Sequence, residues 1–180
     1  YEMTESGITS LPITSEDCSE FAASTDSVSK GFTSIITFQL LDSDVEMEVD
    51  HIASSWVHVY ASQDMLILAE PANDWWWFWQ NTDFDDATNI HAFDISDSTT
   101  TSYLGSGRVD GTVQDQFSMS EYDGSIRIAT TSDIWGRWWL TDEVDPETGE
   151  LVFDGPTNGV TVLQHDGQVG LDEVGKVDGI

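Results

Sequence analysis

The pentapeptide "GRVDG" at residues 107–111 returns almost unchanged as "GKVDG" at 175–179. Five residues can repeat by chance, so the flanks decide what the echo means. Upstream of it, "NIHAFDIS" (89–96) and "GVTVLQHD" (159–166) align without gaps, and "IITFQLLD" (35–42) aligns with both. The overlay puts Ile36, Ile90 and Val160 in register, followed two places later by Phe38, Ala92 and Val162. Each run leads through an acidic turn stretch into a second run carrying "EVD" (48–50), "RVDG" (108–111) or "KVDG" (176–179). Ahead of them, "YASQDMLILA" (60–69) lies over "SEYDGSIRIA" (120–129), each a turn flanked by strand-like residues. The unit is strand, turn, strand, longer excursion, strand, turn, strand.

The runs favour β-branched and aromatic residues, which suit a pleated, half-buried surface. "QD" at 63–64 and "DG" at 123–124 read as tight turns between paired strands, and no segment keeps a helical period. The chain is therefore read as all-β. Residues 1–30 are rich in Ser, Thr and acid without a sustained period, and are expected to form an irregular acidic lead-in. Four short antiparallel strands recurring at a fixed spacing are the mark of propeller blades. The expected architecture is a partial β-propeller of about two four-stranded antiparallel blades, at 52–111 and 112–180, with strands of a third at 33–51. A chance-similar β-sandwich would instead scatter residues 36, 90 and 160 to unrelated places. A terminal blade exposes an apolar face unless something covers it. The 180 residues are accordingly expected to join further blades of a larger ring, or to self-associate.

Charge sets the solvent. There are 34 Asp and Glu against 5 Lys and Arg, a net charge of −29. Such a chain repels itself in dilute buffer, whereas in molar salt the screening length falls to roughly 3 Å. Eight Trp and eight Phe give it the aromatic content of a folded domain. The acid is spread along the whole chain, which reads as adaptation to a halophilic setting. Nucleic acid is not an expected partner, because phosphate contacts require basic residues. Cys18 is the single cysteine, so no disulfide can form within the chain. No run of 18 apolar residues occurs, and no membrane-spanning segment is expected.

The stretch from "NIHAFDIS" through "SGRVDG" to "QFSMSEYDGSIRIATT" (116–131) resembles a family of secreted or surface-attached archaeal and bacterial proteins. Their β-propeller domain is distantly related to WD40 repeats. The agreement is best over residues 88–131 and weaker from Cys18 to Ile180; "WWWFWQ" matches none of its motifs. The resemblance implies a propeller with an extracellular or cell-surface location. It supplies no catalytic residues.

Candidate sites come from the residues themselves. In "PANDWWWFWQNTDFDDATN" (71–89), Trp75, Trp76, Trp77 and Trp79 offer flat apolar faces that could stack on sugar rings. The competing role is burial against a blade or a partner. Asp83, Asp85 and Asp86 follow, and clustered carboxylates suit Ca²⁺, a cation that takes six to eight oxygens. The segment lacks the Gly and closing Glu of an EF-hand loop. The acid-rich "TDEVDPETGE" (141–150) reads as a loop with a Pro-containing turn. His51, His58, His91 and His165 lack the close spacing of a metal site and are read as structural. Arg127 lies mid-strand, and an ion pair with Glu121 across the hairpin is expected. No nucleophile–base motif is present. The expected function is non-enzymatic, an interaction scaffold, with a glycan- or Ca²⁺-binding module as the alternative.

Overall fold

The computed structural model describes residues 2–4, 7–9, 21–23, 31–39, 47–54, 56–72, 86–132, 144–150 and 156–180. Their strands are β1 (Glu2–Thr4), β2 (Gly7–Thr9), β3 (Phe21–Ala22), β4 (Phe32–Phe38), β5 (Met47–Ala53), β6 (His58–Ala61), β7 (Met65–Pro71), β8 (Ala87–Asp94), β9 (Ser102–Asp110), β10 (Met119–Tyr122), β11 (Ser125–Ser132), β12 (Thr157–His165) and β13 (Leu171–Asp178). The lead-in departs from expectation. β1 and β2 pair antiparallel, and β3 joins the edge of β5 in parallel, so residues 1–30 contribute ordered strands.

Three sheets follow the chain order. The first is β3-β5-β4, the second β6-β7-β8-β9 and the third β10-β11-β12-β13, the last two antiparallel throughout. The expected blade at 52–111 starts slightly later, because Ile52 and Ala53 still belong to β5. Both predicted hairpin turns form. Asp123 and Gly124 take φ of 51° and 71°, the two positive values of a type I′ loop between Tyr122 and Ser125. The other turn is held by a side chain, with Ser62 Oγ accepting the amides of Asp64 and Met65 at 3.2 and 3.0 Å.

Register tests the repeat. Ala69 pairs with Ile90 and Ile67 with Ala92; in the third sheet Ala129 pairs with Val160 and Arg127 with Val162. A bulge follows Ala92 opposite Gly105, and its counterpart follows Val162 opposite Gly175. The gap-free overlay of these two sheets is therefore structural. The pentapeptide echo is structural too, at the opposite end. Gly111 N–H donates to the Asp86 carbonyl at 2.6 Å, and Gly179 N–H donates to the Asn158 carbonyl at 2.9 Å. Between turn and bulge β8 runs from Ala87 to Ala92, whereas β12 needs only Gly159 to Val162. The first sheet corrects the overlay by one residue. Ile35 packs toward the second sheet, while Ile36 is 55% exposed on the far side. A one-residue slip exchanges the two faces of a strand.

The second sheet is covered on both faces. Met65, Ile67, Ala69, Ile90 and Ala92 meet Met119, Ile126, Ile128, Leu163 and Leu171 of the third sheet. On the reverse face Leu68 and Phe93 meet Ile52, with Ile35 and Tyr103 packed alongside. Burying each Ile, Leu, Met or Phe side chain among them contributes about 1.5–3 kcal/mol. Close approach depends on glycine. The Ser106 amide donates to the Val169 carbonyl at 3.1 Å. A Cβ on Gly105 would lie 2.5 Å from Val169, and one on Gly107 would lie 2.8 Å from the Leu171 carbonyl oxygen. The preceding seam uses the same strand-to-loop contact: Thr101 N–H donates to Glu48 Oε2 at 3.0 Å. Lys176 closes the later seam from the side, 2.7 Å from Asp110 and 3.3 Å from Asp178, so the acids of both pentapeptides converge on it.

Gly107→Ala is expected to cost about 1–3 kcal/mol by overpacking this seam. Gly175→Ala faces open space, with Val162 at 4.0 Å as its nearest neighbour, and should leave the melting temperature within a degree or so of the parent. Thermal melts in molar salt compare the two; equal losses would contradict the packing described.

Candidate functional site

At one end of the second and third sheets, the β6–β7 turn, the end of β8 and the β10–β11 turn enclose a cleft of about 380 Å³. Asp64, Asp94, Ser96, Glu121, Tyr122 and Asp123 are among its lining residues. Tyr60 in β6 ties the two sheets together beside it, its hydroxyl accepting the Glu121 amide at 3.3 Å. Two of the carboxylates serve the turns themselves. Asp94 Oδ1 accepts from Ser96 Oγ at 2.6 Å and from the Ser96 amide at 2.8 Å. These bonds, the side-chain one foremost, hold the Asp94 carboxyl below its ordinary range. Glu121 Oε1 accepts the Gly124 amide at 2.9 Å, bracing the type I′ loop. The cleft offers acceptor oxygens to hydroxyls or cations.

The same device recurs outside the cleft. Asp97 accepts from the Thr99 hydroxyl and amide, Asp145 from the amides of Glu147 and Thr148, and Asp166 from those of Gln168 and Gly170. Asp115 likewise caps the short 3₁₀ turn at Gln116–Ser118 through the Phe117 amide. A short carboxylate that bonds the amide two residues on imitates a backbone turn. The ionised form makes the stronger bond, and Asp97, Asp145 and Asp166 are all pushed toward lower pKa by these contacts. The turn within "TDEVDPETGE" is one of this set.

Trp75, Trp76, Trp77, Trp79, Asp83 and Asp85 lie outside the described residues, as does Cys18. Asp86 sits just before β8, where its Oδ1 accepts from Thr112 Oγ1 at 2.7 Å and its carbonyl receives the Gly111 amide. It thereby joins the start of β8 to the link leaving β9. Among the described residues, no group of three or more His, Cys, Asp or Glu side chains is arranged to hold a metal ion.

The expected Arg127–Glu121 pair does not form. Arg127 is opposite Ser120, and Glu121 is opposite Ile126, so strand alternation sends the two side chains to different faces. Arg127 lies over the Tyr122 ring instead, 5.5 Å from its centroid, in a cation–π contact.

The histidines divide by burial. His51 Nδ1 is 2.9 Å from Ser34 Oγ, His165 Nε2 is 3.2 Å from the Gln168 carbonyl, and the His58 ring packs tilted against Trp56 with centroids 5.0 Å apart. His91 alone among them is fully buried, between the first and second sheets, with Nδ1 3.1 Å from the Tyr103 hydroxyl. The sequence reading passed over the exposed aromatics Trp56 (67%), Phe117 (85%) and Tyr122 (71%). Aromatics in or beside strands signal core as readily as surface, so their pattern alone did not separate them.

A family model of the beta propeller domain matches residues 9–180. The chain belongs to the β-propeller domain family. Among curated proteins and among solved structures, none matches it. The second and third sheets are thus propeller blades, and the first is part of another.

His91 gives this propeller an acid limit distinct from that of its carboxylates. Burial lowers its pKa to about 4 from 6.5. Between those values the unfolded chain takes up a proton that the folded chain refuses. Stability is complete above the unfolded value and falls as pH drops toward the folded one. The expected loss between about pH 6.5 and pH 5 is about 2 kcal/mol. Chemical denaturation at several pH values should show that slope, and His91→Gln should flatten it; an unchanged slope in the variant would assign the acid loss elsewhere.

Proposed function

We infer that this β-propeller chain is a non-enzymatic interaction scaffold of an exported, salt-adapted surface protein. The observation that carries the reading is the set of exposed aromatics, Trp56, Phe117 and Tyr122, presented on strands, turns and their flanks. Aromatic and Arg side chains dominate the energetics of protein contacts, and Arg127 lies beside Tyr122. The partners fitting this surface are proteins or further propeller blades. The charge of −29 favours neither nucleic acid nor low-salt solution. The family resemblance supports the extracellular or cell-surface location, and the distributed acid supports a halophilic one.

A second reading rests on Asp86. Its carboxylate is anchored by Thr112 at the point where the tryptophan-rich segment rejoins the blade. A glycan- or Ca²⁺-binding module would use Trp75, Trp76, Trp77 and Trp79 with Asp83, Asp85 and Asp86. Tryptophan fluorescence separates the two. The scaffold reading expects no shift with Ca²⁺ or soluble polysaccharides at millimolar concentration; a saturable shift with either favours the module. Salt adaptation has its own measurement. The melting temperature should rise steeply between about 0.1 and 2 M salt as screening strengthens, and a flat response would remove the halophilic reading.

A further inference from the structure

The two faces of the second sheet differ in one chemical respect. Toward the third sheet its buried side chains are Met65, Ile67, Ala69, Ile90 and Ala92. Toward the first sheet, strand alternation places Leu66, Leu68 and Glu70 of β7 beside Phe93, His91 and Asn89 of β8. Among the described residues the buried ionisable side chains are Glu70 and His91, and both stand on this face.

His91 lies at its middle, fully buried, opposite Leu68 on one strand and Ser106 on the other. The Tyr103 hydroxyl is 3.1 Å from Nδ1, and Phe93 packs edge-on against the Tyr103 ring at 5.1 Å. Ile52 of β5 and Ile35 of β4 close the seam from the first sheet. Around His91 on the described elements, Glu70 and Arg108 flank Asn89, and Glu48 and Asp50 alternate with Ile52 on β5. Glu48 accepts the Thr101 amide at 3.0 Å. Burial outweighs these neighbours and lowers the imidazole to about 4 from 6.5.

Histidine changes charge between neutral and mildly acidic pH. A proton on His91 is hydrated only when the first sheet moves off the second. The opposite seam has no such group among its described buried side chains, so protonation acts on one contact and spares the other.

We propose that the contact between the first and second sheets is an acid-opened joint, where protonation of His91 parts β4 and β5 from the second sheet while the second and third stay packed. Separation uncovers Leu68 and Phe93, an apolar surface that neutral pH keeps covered. The acid loss of stability thereby acquires a location, one seam rather than the whole chain. The open form binds a proton that the closed form refuses, so its share grows as pH falls below the free imidazole value. Between about pH 7 and pH 5 the growth is roughly twentyfold. The joint is independent of the scaffold reading.

Hydrogen exchange in molar salt, read by mass spectrometry at about pH 7 and pH 5 and corrected for intrinsic rates, tests it. Amides of β4 and β5 should be less protected than those of β11 and β12 at both pH values. Protection in β4 and β5 should fall roughly twentyfold at the lower one. In His91→Gln, which takes no proton, protection in β5 should be the same at both values, whatever its level. First- and third-sheet amides sharing one level of protection overturn the proposal, because the chain then opens as a whole. So does a β5 level unchanged by acid in the parent, or a fall that survives in His91→Gln. Should the variant fail to fold, the comparison of the two sheets in the parent still decides.

Discussion

The seam between neighbouring blades is the contact on which the rest of the structure depends. A four-stranded sheet carries apolar residues on both faces and cannot satisfy either alone. Where the second blade presents Met65, Ile67, Ala69, Ile90 and Ala92 beside Gly105 and Gly107, the third presents Ile126, Ile128, Leu163 and Leu171. Small residues on one side allow backbone-level approach, and the Ser106 amide can then bond the Val169 carbonyl. Tight seams of this kind lose contact energy quickly when gaps open, since dispersion falls steeply with separation. The same strand-to-loop contact recurs one blade earlier, through Glu48 and Thr101.

The acid has more than one task. Much of it keeps the surface hydrated, at the expense of self-repulsion in dilute solution. A distinct subset shapes turns, with Asp94, Asp97, Asp115, Asp145 and Asp166 each bonding an amide two residues on. For Asp94, Asp97, Asp145 and Asp166 the hydroxyl and amide bonds they accept favour the charged form and hold the carboxyl below its ordinary range. Lys176 shows the converse economy. In a chain with five basic residues, one lysine meets Asp110 across the blade seam and Asp178 on its own strand. On the opposite seam burial keeps His91 neutral at ordinary pH, since the imidazolium would lose its hydration beside Tyr103 and Phe93.

Much of this fold was legible in the residues, and the failures are local. The overlay of residues 60–69 on 120–129, and of 89–96 on 159–166, matches the strand register and the paired bulges. It failed at 35–42, where Ile35 rather than Ile36 faces the neighbouring blade. Two adjacent isoleucines satisfy either phase equally, so hydrophobic pattern could not choose between them. The Arg127–Glu121 expectation failed for a related reason. Nearness across a hairpin was judged from the turn, whereas the face of each side chain follows from its pairing partner. The candidate site was less legible. Its carboxylates come from three separated turns, and acids are too frequent here for any group of them to stand out.

What the sequence determined alone was local and periodic: the strands, the Asp123–Gly124 turn, the repeated unit and a charge demanding strong screening. Such properties arise from backbone preferences and from spacing along the chain, which one sequence displays directly. Tertiary structure decided which face of each strand is covered, why His91 is neutral, and how two distant Val-Asp echoes reach one lysine. A strand's alternation specifies its two faces but not their neighbours. That choice is made only when sheets stack and each face meets its neighbour.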